Sequence, residues 1–576
     1  MPLKGADELK LTDSRRMTGP HLLRDQPGAI LEIEGGDEAV ARALPCWQGW
    51  ARKTLDAVGW SMQSLAYRTF PGGASLFLSA PVDCLYAATE VNELAWDMAM
   101  AFGPAEGAGN AAFDEGVKRL REEIESEKNP PLMALREAAG AHDVCVLSDD
   151  DEVSVGMGRW SQTWPAGNLP EPGSVNWQCI RDIPAAFVTG TNGKTTTVRL
   201  LQAMVGAAGL VAGVSSTDYL QVGDSVLDQG DYSGPGGARA VLRSRNVAVA
   251  ILETARGGLL RRGLAMDRAA VSLVTNVGED HLGEYGIDNL ADLARVKLIV
   301  AKGLQPDGYL VLNAGDPHLK AIGQKLPCRV VWFDCGPKNG LLNQHLEQGG
   351  SASYLEDDKL VLSWEGHKKT VATLSEVPVT FNGAARHNIA NALGAIAVAA
   401  GLGLDVAAMR SGLRAFKTTS NPGRTNHFKL GGADVLVDFA HNPHGLKALT
   451  EMGRAMPAKR RLIVLGQAGD RSDEAIRELG TIAATMRPDC VIVKELVSDL
   501  RGRAPREVPA LIEAGLLAGG IDAGAVVHAP DEPAAVERAL AWAQPGDLLL
   551  LICHTHRAVI LDKLQRLERE GWQPGT

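Results

Sequence analysis

The sequence predicts a multidomain α/β protein, with an α+β N-terminal domain ahead of two domains built on parallel sheets. Three observations carry that expectation. Beyond residue 177, short apolar β-rich runs alternate with helical stretches, the rhythm of strand-helix-strand units. The 576 residues suffice for three or four cores at about 150 residues each. Tryptophan crowds the first third, from Trp47 to Trp177, and is sparse afterwards, so composition shifts near residue 177.

Composition narrows the class. With 45% hydrophobic, 22% charged and 5% aromatic residues the chain is ordinary for a globular protein and too apolar to stay disordered. Lys and Arg number 58 against 69 Asp and Glu, and the net charge of −11 repels phosphate backbones and acidic membranes. No nucleic-acid partner is expected. The eight cysteines form no CxxC pair, which fits reduced thiols in a cytosol. The opening MPLKGADELKLTDSRR sets charges where a signal peptide needs an apolar core, and no later stretch reaches the length of a membrane span. A cytoplasmic protein with no membrane partner is expected.

In chain order, residues 29–34 and 144–147 read as strands and 115–127 as a helix. Asp149, Asp150 and Asp151 sit between apolar runs, as a solvated hairpin turn would. The Pro- and Gly-rich stretch WPAGNLPEPGSVNW reads as a linker. It divides an N-terminal domain, 1–176, from a central one, 177–420. The central series is IPAAFV, a helix from Lys194, NVAVAIL, AAVSLVTN, a helix over 290–302, GYLVLN and RVVWF. After SNPGR a second series, VLVDFA, RLIVLG, CVIV and DLLLLIC, predicts a C-terminal Rossmann-like domain over 421–576.

The junction IPAAFVTGTNGKTTTVRLLQAM carries the first chemistry. A buried strand enters a turn of Gly190, Thr191, Asn192 and Gly193, and Lys194, Thr195 and Thr196 open a helix. Backbone N–H groups at a helix start point at an anion, glycines allow close approach, Lys194 spans terminal phosphates, and the Thr195 hydroxyl can ligate magnesium. The spacing is GxxGKT, shorter than the usual GxxxxGK[ST]. In VAVAILETARGG, Glu253 ends an apolar strand, where its carboxylate faces a nucleotide at the neighbouring turn, which makes it the leading magnesium ligand. A second strand ends in Asn276, Glu279, Asp280 and His281.

The short loop GTNGKTT resembles the signature of the Mur ligase family, ATP-dependent enzymes that form amide bonds. The resemblance implies ATP and Mg²⁺ as cofactors. Asp280, His281 and Leu282 resemble the family's DHL motif, whose histidine ligates magnesium. Lys297 is similar in position to a lysine that several members carry as a carbamate, so Lys194, Glu253, His281 and Lys297 are expected to be catalytic. Asn313 with Asp316, and Asn388 with Asn391, resemble segments bordering the nucleotide. SNPGRTN resembles the family's interdomain junction, with Arg424 meeting a phosphate. VLVDFAHNPHG, with Asp438, His441 and Asn442, and GQAGDRSDEAI, with Gly469, Asp470 and Arg471, resemble C-terminal loops that approach the nucleotide on closure.

Within the family, GVSSTDYLQVGD, LETARGGLLRRGL, NVGEDHLGEYGI and LRGRAPREVPALIEAGL are most similar to the cyanophycin synthetases. RRMTGPHLLRDQPGAILEIE and YAATEVNELAWDM weakly resemble their N-terminal domain. About 176 residues precede the Mur-like part, which leaves no room for those enzymes' ATP-grasp module, so one ligation is expected where they perform two. The expected partners are an amino acid and a carboxylate or peptide acceptor, and a homo-oligomer is allowed. Arg256, Arg501 and Arg503 are candidates for gripping a substrate carboxylate. Two rival readings are a folylpolyglutamate-type glutamate ligase and a nucleotide-binding scaffold without catalysis.

Overall fold

The computed structural model describes residues 8–105, 111–280, 282–336 and 340–574. Its first sheet is antiparallel, with β1 (Lys10–Met17), β2 (Gly28–Glu34), β3 (Leu65–Phe70) and β4 (Gly73–Ser79) in the order β1-β2-β4-β3. Helices Asp37–Ala57, Leu85–Phe102 and Ala111–Glu127 bury an apolar stripe on one face, around Trp47, Leu31, Leu76, Val91 and Leu120. The core also holds an amide. Trp47 Nε1 donates to Asn92 Oδ1 at 2.9 Å, and Asn92 Nδ2 donates to the carbonyls of Ala29 and Leu76, so helix and sheet share one satisfied polar knot. The opposite face presents Met17, Ile30 and Phe77.

A three-stranded meander follows: β5 (Val146–Ser148), β6 (Glu152–Val155) and β7 (Gln162–Pro165). Asp149, Asp150 and Asp151 form its first turn, as expected, but the turn is not merely solvated. Asp149 accepts from Arg243 at 2.5 Å and Asp150 from Arg16 at 3.1 Å, which ties the meander to its neighbours on both sides.

The central sheet has eleven strands: β8 (Ala185–Thr189), β9 (Ala212–Ser215), β10 (Tyr219–Val222), β11 (Ser225–Gln229), β12 (Val249–Glu253), β13 (Ala269–Val274), β14 (Leu304–Asn313), β15 (Arg329–Asp334), β16 (Ala352–Glu356), β17 (Lys359–Trp364) and β18 (His367–Thr373). Their order is β11-β10-β9-β12-β8-β13-β14-β15-β16-β17-β18. From β9 to β16 the pairing is parallel, and helices cover both faces. Ala185 and Phe187 of β8 point to one core, Ala186 and Val188 to the other.

Antiparallel hairpins extend this parallel sheet at both edges. Val222 pairs with Ser225, Glu356 with Lys359 and Trp364 with His367, so two residues close each turn. A two-residue loop makes an antiparallel hairpin, since a parallel return needs a dozen residues or more. The helix expected over 290–302 is α-helical for Leu290–Lys297 and tightens to a 3₁₀ turn over Leu298–Gly303.

The last sheet comprises β19 (Asn426–Leu430), β20 (Ala433–Asp438), β21 (Arg461–Leu465), β22 (Cys490–Lys494), β23 (Val526–Ala529) and β24 (Leu548–Ile552), ordered β19-β20-β24-β21-β22-β23. All neighbours are parallel except the β19 edge. The loops after β8 and β13 meet the loops after β20 and β21, so the carboxyl edges of the two large sheets face each other. Ligands of open α/β sheets bind at that edge.

Candidate active site

The loop after β8 is shaped by its neighbours before any ligand is considered. Gly190 has φ +149°, and a Cβ there would lie 1.8 Å from Thr275 Oγ1. Gly193, at φ +84°, caps the Lys194–Ala207 helix, and a Cβ there would lie 2.2 Å from Asn391 Oδ1. Only glycine fits both backbone and space at these two points. The loop after β13 braces this turn. Thr191 and Asn192 donate backbone N–H to Asn276 O at 3.0 Å and Asn276 Oδ1 at 2.9 Å, and Asn192 O accepts from Thr275 Oγ1 and Asn276 Nδ2.

Lys194 Nζ donates to the carbonyls of Gly190 and Thr191, both at 3.0 Å. Burial pushes its ammonium below the ordinary value, while Glu253 and Asp280 act the other way. Glu253 is 2% exposed at the end of β12. Its Oε1 accepts from Thr195 Oγ1 and Thr217 Oγ1, each at 3.2 Å, and its Oε2 is buried with no hydrogen bond among the described residues. Burial raises its carboxyl above the ordinary value, against the pull of Lys194. A buried carboxylate with an orphaned oxygen, two hydroxyls and a lysine beside it is a hard-oxygen set that suits Mg²⁺ carrying phosphate. Thr195, Glu253 and Thr217 would hold that ion.

Lys297 is 3% exposed, and burial holds its amine well below the ordinary value. Its charged neighbours include Lys194, Asp280 and Arg256. His281 lies outside the described residues. Asp280, beside it, faces Lys194, Lys297 and His441 electrostatically and pairs with Arg471 at 3.3 Å.

The expected nucleotide-border residues divide. Asn391 abuts the phosphate loop, and Asn388 stands behind it, accepting from Asn391 Nδ2 at 3.2 Å and donating to Val379 O at 3.0 Å. Asn313 donates to Thr275 O, and Asp316 accepts from the Val277 N–H while capping the next helix, so both support the β13 loop. Thr196 Oγ1 accepts from Asn421 Nδ2 at 3.0 Å, which joins the phosphate helix to the start of the last domain.

From the C-terminal side, Asp438 accepts from Thr425 N–H at 2.7 Å and from Ala440 N–H at 2.9 Å. Arg424 lies over the Phe439 ring at 4.9 Å and is among the charges that act on Lys194 and Glu253. His441 packs on the other neighbour of that ring set, 5.0 Å from Phe439, and burial drops its pKa to about 4. Asn442 and Asn192 exchange two amide hydrogen bonds, both 3.1 Å.

The three arginines proposed for substrate are placed differently. Arg256 follows β12 and pairs with Glu284. Arg501 is exposed and, among the described residues, bonds locally to Asp499 at 3.1 Å. Arg503 is placed as a brace. Its guanidinium donates to Gly469 O, Arg471 O, Asp473 and Glu507, which leaves no free edge for a bidentate grip. Sequence reading missed Thr217, Arg199 and Asn421. Thr217 follows β9, next to β12 in the sheet, and the edge rule that singled out Glu253 applies equally to it. Arg199 Nη1 donates to Asn421 Oδ1 at 3.0 Å, across 222 positions, and no local pattern signals that pair.

Comparison with known proteins places this geometry. Residues 188–399 match the profile of the Mur ligase middle domain and 423–553 that of the Mur ligase, glutamate ligase domain. A cyanophycin synthetase of Trichormus variabilis is 38% identical over 394 residues, covering 68% of this chain and 43% of the relative. The cyanophycin synthetase of Synechocystis sp. is 42% identical over 337 residues, covering 58% and 38%. The chain thus spans about two fifths of these relatives' length. Among solved structures, E. coli FolC in complex with ADP is similar with a TM-score of 0.49 and 22% identity, covering 68% of this chain and 91% of that one. Among the described residues no helix is long and apolar enough to cross a membrane.

Proposed function

Carrying the middle and C-terminal domains in tandem, the chain belongs to the Mur ligase family, and from that premise we propose that it is an ATP-dependent, ADP-forming amide ligase. It joins an amino acid or similar amine to a carboxylate acceptor, as a cytoplasmic enzyme of three domains, 1–176, 177–420 and 421–576. The observation that supports this best is the orphaned, buried Glu253 Oε2 beside Thr195, Thr217 and Lys194. A site that only stored nucleotide has less need of so costly a carboxylate.

An acceptor carboxylate oxygen attacks the γ-phosphorus of ATP and ADP leaves, giving an acyl phosphate. The amine nitrogen then attacks the acyl carbon, phosphate leaves with the acceptor oxygen, and the nitrogen sheds a proton to form the amide. Mg²⁺ would neutralise charge on the β- and γ-phosphate oxygens. The Lys194 ammonium and the N–H groups of the loop stabilise the transferring phosphoryl group, since their dipoles are fixed before the reaction. Arg424 adds positive charge from the C-terminal side. Asn442, by holding the C-terminal loop on the phosphate loop, excludes water that would hydrolyse the mixed anhydride. Lys297 and Asp280, which act electrostatically on one another beside Lys194, line the flank assigned to the acceptor carboxylate on this reading.

The test is a screen of amino acids against short aspartate peptides and other carboxylates, scored by amine-dependent ADP release with mass spectrometry of products. Stimulation that needs both partners, with a product heavier by the amine less water, supports the ligase. ATP turnover indifferent to every pair refutes it.

A further inference from the structure

The N-terminal sheet meets the loop that continues from Asp280, and Arg68 supplies its hydrogen bonds to the backbone of that loop. Arg68, on β3, donates from Nη1 to Gly286 O at 2.9 Å and from Nη2 to Tyr285 O, across more than 200 positions of chain. Both accepting residues are left-handed, Tyr285 at φ +54° and Gly286 at φ +61°. A tyrosine in that region persists only where its surroundings hold it there. The contact is close as well as polar. A Cβ on Gly286 would lie 2.1 Å from the Phe70 ring, two residues along β3. The Tyr285 ring receives the Arg15 guanidinium at 4.8 Å, and its hydroxyl accepts from Arg261 Nε at 3.3 Å.

This turn is the continuation of the loop that carries Asp280. Gly283 N–H donates to Ile287 O at 3.0 Å and Ile287 N–H to Glu284 O at 3.1 Å, so the turn is closed on itself five residues past Asp280. Glu284 pairs with Arg256, which follows the Glu253 strand, and Asp280 pairs with Arg471 of the C-terminal side. One short segment is therefore pinned by all three parts of the chain, and at its far end Arg68 and Arg15 of the N-terminal part act together with Arg261 of the central part.

We propose that Arg68 is a positioning residue, which fixes the 284–287 turn and through it the placement of Asp280 against the phosphate and metal site. The N-terminal domain is on this account a built-in support of the reaction centre as well as whatever else it binds. The inference deepens the ligase reading and, for its kinetic arm, rests on it. A carbonyl pair held by two parallel N–H donors is a directional anchor that a point charge cannot reproduce.

The test is hydrogen exchange of the full chain with Arg68→Met, Arg68→Lys and Gly286→Ala, followed by steady-state kinetics. Gly286→Ala pushes the turn off Phe70 without touching the N-terminal core, so it serves if Arg68→Met fails to fold. Exchange at 283–288 rises about tenfold or more in Arg68→Met and Gly286→Ala, with the 190–197 loop unchanged. Turnover falls about 10- to 100-fold at an unaltered KM for ATP, and Arg68→Lys recovers only part. Unchanged exchange at 283–288, or faster exchange with full turnover, overturns the proposal. Wild-type protein that turns over no pair at all refutes the ligase reading alone, and the exchange measurement still decides whether Arg68 holds the turn.

Discussion

Asn192, in the phosphate loop, and Asn442, in the first turn after β20, exchange two side-chain amide hydrogen bonds of 3.1 Å, so the nucleotide-facing loops of two domains are joined by a reciprocal pair. Asn442 is 1% exposed and also caps the Pro443–Ala455 helix. Its amide therefore has a fixed direction. Asn442→Ala is expected to lower kcat roughly 30-fold, by loss of two hydrogen bonds worth about 1 kcal/mol each, with the KM for ATP unchanged. Combined with Asn192→Ala the two losses should not add, which a double-mutant cycle on kcat measures. Full additivity would mean that the pair does no work in turnover.

Lys194→Ala should abolish ligation, by a factor on the order of 10² to 10³ or more, and leave the fold intact. Among the described residues the side chain bonds to two carbonyls of its own loop. Circular dichroism and thermal unfolding check the second half, and a product assay the first.

Glu253→Gln separates function from stability. Burial holds the native carboxyl of Glu253 above its ordinary value of 4.5, so the native state binds this proton more readily than the unfolded one. Stability then declines as pH rises from the unfolded value through the native one. The amide removes the charge. Metal-free Glu253→Gln is expected to melt higher than wild type at pH 7, to differ little below pH 4.5, and to lose turnover by about 10²-fold or more. Melting curves in a chelator at the two pH values decide the first two points.

Acid should weaken the fold earlier than carboxylates alone would dictate. Burial lowers His21 and His554 to about 3 and His441 to about 4, all below the ordinary 6.5. Each neutral imidazole contributes stability that is complete above pH 6.5 and drains as pH falls toward its native value, at up to about 1.4 kcal/mol per pH unit per group. Urea midpoints between pH 7 and 4.5 should fall accordingly, and His441→Asn should flatten the fall by one proton's worth.

How far these features were legible depends on whether a residue's partner is near in sequence. The strands of the two large sheets stand out because parallel strands buried on both faces are nearly continuous apolar runs, as in VLVDFA and DLLLLIC. The edge hairpins do not, since β11 is exposed throughout and β18 starts with four exposed residues. Glu253 could be read from its place at a strand end. Thr217 occupies the equivalent place one strand over, where a single hydroxyl gives no distinctive pattern. Arg503 looked available for substrate because Asp473 lies 30 positions away and only the fold brings it to 2.8 Å. LAYRTF holds no hint that Arg68 meets a turn more than 200 positions later. Local chemistry is visible in a sequence, and contacts between domains are set by docking.

The most direct measurement follows oxygen. With a productive acceptor whose carboxylate is labelled with ¹⁸O, transfer of the carboxyl oxygen to the γ-phosphorus requires that inorganic phosphate released during amide formation carry one ¹⁸O per turnover. Phosphate free of label, alongside a genuine amide product, would contradict activation of the acceptor by ATP at this site.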